Sequence, residues 1–351
     1  MSTITLPTKI HFLSEEEGRH SLIQYAFDHT TALFLSEKEA HDLGLLPMIE
    51  TMEAQGKVNW IKVIPVTPSQ NDVSAIMKTM ISSEPELIVA IGSSAALNYA
   101  KLCSRFKQRP MMIAVPTSVD TISILLPWAA YRNNDEILSV TEGDSLAFDQ
   151  ALIMTDFTLK SSASVTLSAS LKALAFAGDA YWAKTSTPTI RLWALQAIRL
   201  IVRNLPKALK NPELLNEHRS LLYGSIFASM AISNAKAGAI SALSTSLAFK
   251  LGIDEGLAAA MVLPDLLRIN LGDLSNPEAL YDAFNINNPE ALRAWIETLS
   301  EGISSLKLTE YGISESGVEA LAEASMRLNT MANNPIEMNV DLVKTILKLH
   351  L

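Results

Sequence analysis

Residues 87–91 (LIVAI) form an uninterrupted apolar run that passes directly into Gly92, Ser93 and Ser94 and then into an Ala-rich stretch ending at Lys101. This order predicts a buried strand, a turn of small residues and the start of a helix, and it narrows the choice of fold more than any other feature. A strand buried on both faces belongs in a parallel sheet covered by helices. The neighbouring sequence repeats the alternation. Residues 31–36 (TALFLS), 60–66 (WIKVIPV) and 111–116 (MMIAVP) read as further strands, while 39–55 and 71–83 carry apolar residues at helical spacing. Beyond about residue 160 the texture changes to long Ala/Leu/Ser-rich segments of helical period, at 165–183, 189–208, 212–251, 255–270 and 315–331. The expected architecture is an N-terminal α/β domain over residues 1–160, with a Rossmann-like parallel sheet, followed by an all-α domain over residues 161–351.

Composition restricts the partners. The net charge of −9 disfavours a nucleic acid or an anionic membrane surface as a partner. Cys103 is the single cysteine, which excludes a disulfide framework and any multi-thiolate metal site. No signal-peptide pattern opens the chain, and no stretch of about 18 uncharged apolar residues interrupts it. These features lead us to expect a soluble, cytoplasmic protein that acts on a small molecule.

The turn at Gly92, Ser93 and Ser94 carries the first chemical signal. A helix that starts straight after a strand presents backbone N–H groups lacking intrahelical partners, and these suit an anion such as a pyrophosphate. The alternative is a tight turn with no ligand. A second signal lies at 163–183, where Lys172 and Asp179 are the charged residues of an otherwise Ala/Leu/Ser/aromatic helix. His218, in NPELLNEHRS, reads as an exposed residue of a polar helix; Trp182, Trp193 and Trp295 read as core.

Taken together, these blocks resemble the iron-containing (group III) alcohol dehydrogenase family of the dehydroquinate-synthase-like superfamily. The family's G-G-G-S-x-x-D-x-x-K block lines up with Gly92, Ser93, Ser94, Ala95, Asn98 and Lys101. Its P-T-T-A-G-T-G-S-E loop lines up without gaps with Pro116, Thr117, Ser118, Val119, Asp120, Thr121, Ile122, Ser123 and Ile124, and then with Pro127 and Tyr131. Residues 254–270 (DEGLAAAMVLPDLLRIN) resemble its P-H-G-x-x-N-A-x-x-L-P-x-V-x-x-x-N segment, and Asn334-Pro335 also fits.

The resemblance implies an NAD site at Glu37, Gly92, Ser93, Ser94, Asn98, Thr117 and Thr121, in which the carboxylate of Glu37 would select NAD over NADP. It also implies a homodimer. Two departures stand out. In the glycine-rich loops only Gly92 is kept, and Asp120 and Ile122 replace both glycines of the second loop. The family's metal ligands fall at Lys172, Phe176, Ser241 and Glu255, a set that implies no metal.

With the fold retained, Lys172 is expected in the interdomain cleft, facing Glu255 and supplying the positive charge that polarises a carbonyl. The pair reads equally as a structural ion pair. Three functions follow from this: a metal-independent NAD-linked alcohol dehydrogenase or carbonyl reductase, a non-redox cyclase, lyase or condensing enzyme using Lys172, and a non-catalytic binding protein. No Arg/His cluster marks a phosphate or dicarboxylate site, which favours a neutral or monoanionic substrate.

Overall fold

The computed structural model describes residues 3–105, 108–134, 138–274 and 276–351. The chain divides into an α/β unit, Leu6–Ser161, and a helical unit, Ser162–Leu351, which residues 3–5 also join.

The α/β unit runs β1 (Lys9–Leu13), α1 (Glu15–Asp28), β2 (Thr31–Leu35), α2 (Glu37–Asp42), α3 (Leu46–Ala54), β3 (Val58–Lys62), α4 (Gln70–Ile81), β4 (Leu87–Gly92), α5 (Ser94–Cys103) and β5 (Met111–Pro116). It continues through α6 (Ile122–Leu125), an antiparallel hairpin of β6 (Trp128–Arg132) and β7 (Leu138–Glu142), and then β8 (Gln150–Met154) and α7 (Thr155–Thr158). Six strands form a parallel sheet in the order β1-β8-β5-β4-β2-β3. Residues of β2, β4 and β5 are buried on both faces, as a sheet with helices over both sides requires. Leu33, Val89, Ile91, Ile113 and Val115 form the centre of its core.

The chain leaves β2 outward to the edge strand β3 and returns to β4 on the other side of β2. The crevice beyond the carboxyl ends of β2 and β4 is therefore a topological switch point, where open α/β sheets place their ligands.

The segment read as one helix over 39–55 is two, because Gly44 adopts φ 63° and turns the chain between α2 and α3. The third strand ends at Lys62 rather than at residue 66. The strands β1 and β8 lie outside the pattern expected from sequence; β1 is short, half-exposed and without clean alternation.

The helical unit comprises α8 (Ala163–Trp182), α9 (Pro188–Lys210), α10 (Leu215–Ala235), α11 (Ala239–Leu251), α12 (Glu255–Asn270), α13 (Pro277–Phe284), α14 (Pro289–Ser300), α15 (Val318–Met326) and α16 (Val340–Lys348). The run expected as one helix over 212–251 breaks between α10 and α11, which meet at 108°. Lys236, at φ 60°, makes the break, and two side chains satisfy the backbone groups it releases. The Asn333 amide donates to the carbonyls of Ala235, Lys236 and Ala237, at 2.8, 3.1 and 3.2 Å. The Asp179 carboxylate accepts the N–H groups of Gly238, Ile240 and Ser241, at 2.8, 3.3 and 3.2 Å.

His218 is buried rather than exposed: the first turns of α10 pack into the helical unit, and its ring bonds to the backbone at Pro212. Trp182 is core, whereas Trp193 and Trp295 are half-buried. Thr5 is tied to α10, its N–H donating to Asn234 Oδ1 at 2.8 Å and its carbonyl accepting from Asn234 Nδ2 at 3.1 Å. Among the described residues no single helix is long and apolar enough to cross a membrane.

Candidate functional site

In the α/β unit the expected nucleotide loop is a strand–turn–helix. The strand β4 ends at Gly92, whose φ of 147° is open to glycine, and α5 begins two residues later without a side-chain cap at Ser93. Two donors of this turn, the Ser93 N–H and the Ser94 hydroxyl, are already engaged. Glu39, the third residue of α2, turns its carboxylate across the switch point, where Oε1 accepts the Ser93 N–H at 3.2 Å and the Thr117 hydroxyl at 2.9 Å. The Ser36 hydroxyl donates to Oε2 at 3.0 Å. The carboxylate lies so close that a Cβ on Gly92 would stand 2.6 Å from Oε2.

Asp120, from the loop after β5, accepts the Ser94 hydroxyl at 2.5 Å and the Ile122 N–H at 3.2 Å. That loop is fixed from below by Lys101, which is fully buried and donates to the carbonyls of Ser123, Leu126 and Trp128 at 2.5, 2.6 and 3.2 Å. The last position of the glycine-rich block therefore carries a structural ammonium.

The remaining expected cofactor residues are dispersed. Glu37 is exposed and pairs with Lys62 at the end of β3, at 3.3 Å. Asn98 is half-buried along α5, and Thr121 is buried at the start of α6. The structure thus gathers Gly92, Ser93 and Thr117 around Glu39, a residue the sequence reading missed. Its signal was the Ser36-x-x-Glu39 spacing of a helix start directly after a strand.

In the helical unit the structure brings Lys172 and Glu255 together. Lys172 Nζ lies 3.0 Å from Glu255 Oε2, with the lysine side chain 6% and the glutamate 24% exposed. The Thr245 hydroxyl of α11 donates to Glu255 Oε1 at 2.7 Å, and the Phe176 ring lies 5.9 Å from Nζ. Glu255 is the first residue of α12, where the helix dipole favours a carboxylate. Ser168, one turn before Lys172, donates to Asp254, which caps α12. Gly256 lets the two helices touch, since a Cβ there would sit 1.9 Å from the Ser168 carbonyl oxygen. Asp179, two turns beyond Lys172 on α8, fixes the start of α11 and with it Ser241 and Thr245.

Lys172, Phe176, Ser241 and Glu255 do not make a metal site. A lysine ammonium is a donor rather than a ligand, a phenyl ring offers no lone pair, and one carboxylate with one hydroxyl leaves the set two ligands short. Among the described residues no group of three or more His, Cys, Asp or Glu is placed to hold a metal ion. Cys103 is buried, and burial pushes its thiol up to about 12, away from the reactive thiolate.

Comparisons with known proteins agree with the fold. The chain is 27% identical over 278 residues to the 1,3-propanediol dehydrogenase of Klebsiella pneumoniae, covering 74% of the chain and 70% of that protein. It is 24% identical over 367 residues to an alcohol dehydrogenase of Thermococcus barophilus, covering 95% of each. Among solved structures, a 1,3-propanediol oxidoreductase superposes with a TM-score of 0.87 at 22% identity over 100% of both chains. The sulfoacetaldehyde reductase of Bifidobacterium kashiwanohense, solved in complex with NAD+, gives 0.86 at 20% identity over 100% of this chain and 98% of that one. Residues 166–351 match the Fe-containing alcohol dehydrogenase family, C-terminal, and the chain belongs to that family.

Proposed function

We propose that this chain is an NAD-linked alcohol dehydrogenase or carbonyl reductase that acts on a small substrate without a metal, with Lys172 as its acid–base group. The observation that carries the reading is the Lys172–Glu255 pair, a nearly buried ammonium held at 3.0 Å by a carboxylate that Thr245 orients. Family membership, the dehydrogenase relatives and the NAD+ complex of a structural neighbour support the redox class.

NADH, when bound, would supply the hydride. In the reducing direction the carbonyl carbon gains that hydride, and the carbonyl oxygen takes a proton from Lys172 Nζ. In the oxidising direction neutral Nζ recovers the proton from the hydroxyl, and the hydride leaving the carbon would pass to NAD+. Glu255 keeps the ammonium oriented and offsets its desolvation.

A second reading is favoured by the carboxylates of Glu39 and Asp120 at the nucleotide loop, which oppose an anionic cofactor. In it, Lys172 serves a non-redox reaction as acid–base group or imine former. Borohydride trapping of a substrate adduct on Lys172 would identify it.

The test uses chelator-treated protein, NADH and a panel of short aliphatic aldehydes. Turnover should persist after chelation. In Lys172→Ala it should fall by about 10²–10⁴-fold with NADH binding retained. Unchanged turnover in the variant removes Lys172 from the mechanism. Turnover that the chelator abolishes and ferrous ion restores removes the metal-free part of the proposal.

A further inference from the structure

The crevice at the switch point of the sheet holds an anion supplied by the chain itself. Three segments meet there: the start of α2 after β2, the Gly92–Ser93 turn after β4 and Thr117 after β5. Each contributes to binding one carboxylate, that of Glu39. It accepts a backbone N–H from the uncapped end of α5 at 3.2 Å, a hydroxyl from Thr117 at 2.9 Å and a hydroxyl from Ser36 at 3.0 Å. A backbone N–H at a helix start together with a nearby hydroxyl is the donor set that receives a phosphate oxygen in folds of this class. The absence of a Cβ on Gly92, which in a dinucleotide loop lets a pyrophosphate approach, is here used by Glu39 Oε2.

We propose that Glu39 is an internal competitor of the dinucleotide: its carboxylate holds the donors that an incoming pyrophosphate would use, and the cofactor enters only by displacing it. This rests on the cofactor reading given above. The displacement needs a side-chain rotation and no backbone change. The Glu39 backbone N–H is capped separately by the Ser36 hydroxyl at 3.1 Å, so α2 keeps its start when the carboxylate leaves. Glu39 is half-buried, not sealed in the core. Asp120, which accepts the Ser94 hydroxyl, places a second carboxylate at the same turn.

Two consequences separate this role from loop scaffolding. Neutralising Glu39 without changing its shape should strengthen cofactor binding, because a neutral amide oxygen is the weaker acceptor and no longer repels phosphate. Removing the side chain should strengthen it further. A scaffold residue would give the opposite order.

The experiment is a titration of the full chain with NADH, read by energy transfer from tryptophan, on the wild type, Glu39→Gln and Glu39→Ala. The expected result is a Kd at least about tenfold lower in Glu39→Gln than in the wild type. Glu39→Gln keeps an amide oxygen for the Ser93 N–H and the Thr117 hydroxyl and stands as the deciding variant if Glu39→Ala is poorly folded. Equal affinity in the wild type and Glu39→Gln overturns the competitor role and leaves the cofactor reading standing, as does weaker binding in the variant. No binding by any of the three at millimolar NADH overturns both.

Discussion

Asp179 and Asp265 are both sealed inside the helical unit, at 0% and 2% exposure, yet their surroundings push their ionisation in opposite directions. Burial raises the Asp179 carboxyl to about 6 from its ordinary 3.8, against the pull of the three N–H groups it receives from Gly238 and the first turn of α11. Its protonated form is therefore favoured in the fold. Stability from this group is greatest below 3.8, falls as pH rises toward about 6, and is level above that. The span corresponds to about 3 kcal/mol. Urea midpoints measured between pH 4 and 7 should show this fall in the wild type and lose it in Asp179→Asn.

Asp265 is the reverse case. Burial raises its pKa, but hydrogen bonds from His350 and Arg293 more than cancel that, and the net direction is downward from 3.8. Its contribution is present above 3.8 and lost as pH falls through the lowered value.

At the level of single residues, Lys172 and Glu255 were legible in the sequence as an isolated charge in an apolar helix and its partner by family register. Glu39 was not. Its role depends on where three loops converge at the sheet edge, and the Ser36 spacing announces only a helix start.

Helix contacts account for how the Lys172 site is assembled. The helices α8 and α12 approach closely enough to join Lys172 and Glu255 because Gly256 presents only hydrogen to the Ser168 carbonyl. In Gly256→Ala the added methyl meets the Ser168 backbone, which cannot swing aside as a side chain would, so α12 must shift. Thermal unfolding should report a loss of about 3 kcal/mol. Gly272→Ala, at a position with no neighbour within 4 Å, should stay within about 0.5 kcal/mol of the wild type.

The elements read most reliably were those with a single dominant pattern, such as β4 running into α5. The α10–α11 break was illegible because apolar periodicity continues through it. No proline marks the bend; the turn is made by Lys236, and its stabilisers, Asn333 and Asp179, lie far away in sequence. The edge strand β1 was unread for a related reason: its exposure follows its place in the sheet rather than its composition.

For the molecule as a whole, the sequence changes texture near residue 160, and the α/β unit gives way to the helical unit between Ser161 and Ser162. What it did not disclose is how the chain's last turn is anchored. His350 Nε2 donates to Asp265 Oδ2 at 3.0 Å, and Arg293 reaches the other oxygen at 2.7 Å, so α12, α14 and the end of the chain share one buried carboxylate. A groove of about 1170 Å³ opens beside this junction, lined by Arg268, Arg293, Lys307 and His350 among others. His350→Ala should destabilise the protein by about 1–3 kcal/mol through the acceptor it leaves unsatisfied. Chemical denaturation at neutral pH would measure it, and a change under about 0.5 kcal/mol would show that Arg293 and Arg268, which also pairs with Asp265, suffice to hold that carboxylate.

The tie between Thr5 and Asn234 spans 229 positions. During synthesis Thr5 is made long before Asn234, so it waits for its docking site until after the residues of the sheet have been made. An extension or tag placed at the start of the chain therefore bears on the helical unit it docks against rather than on the strand that follows it in sequence.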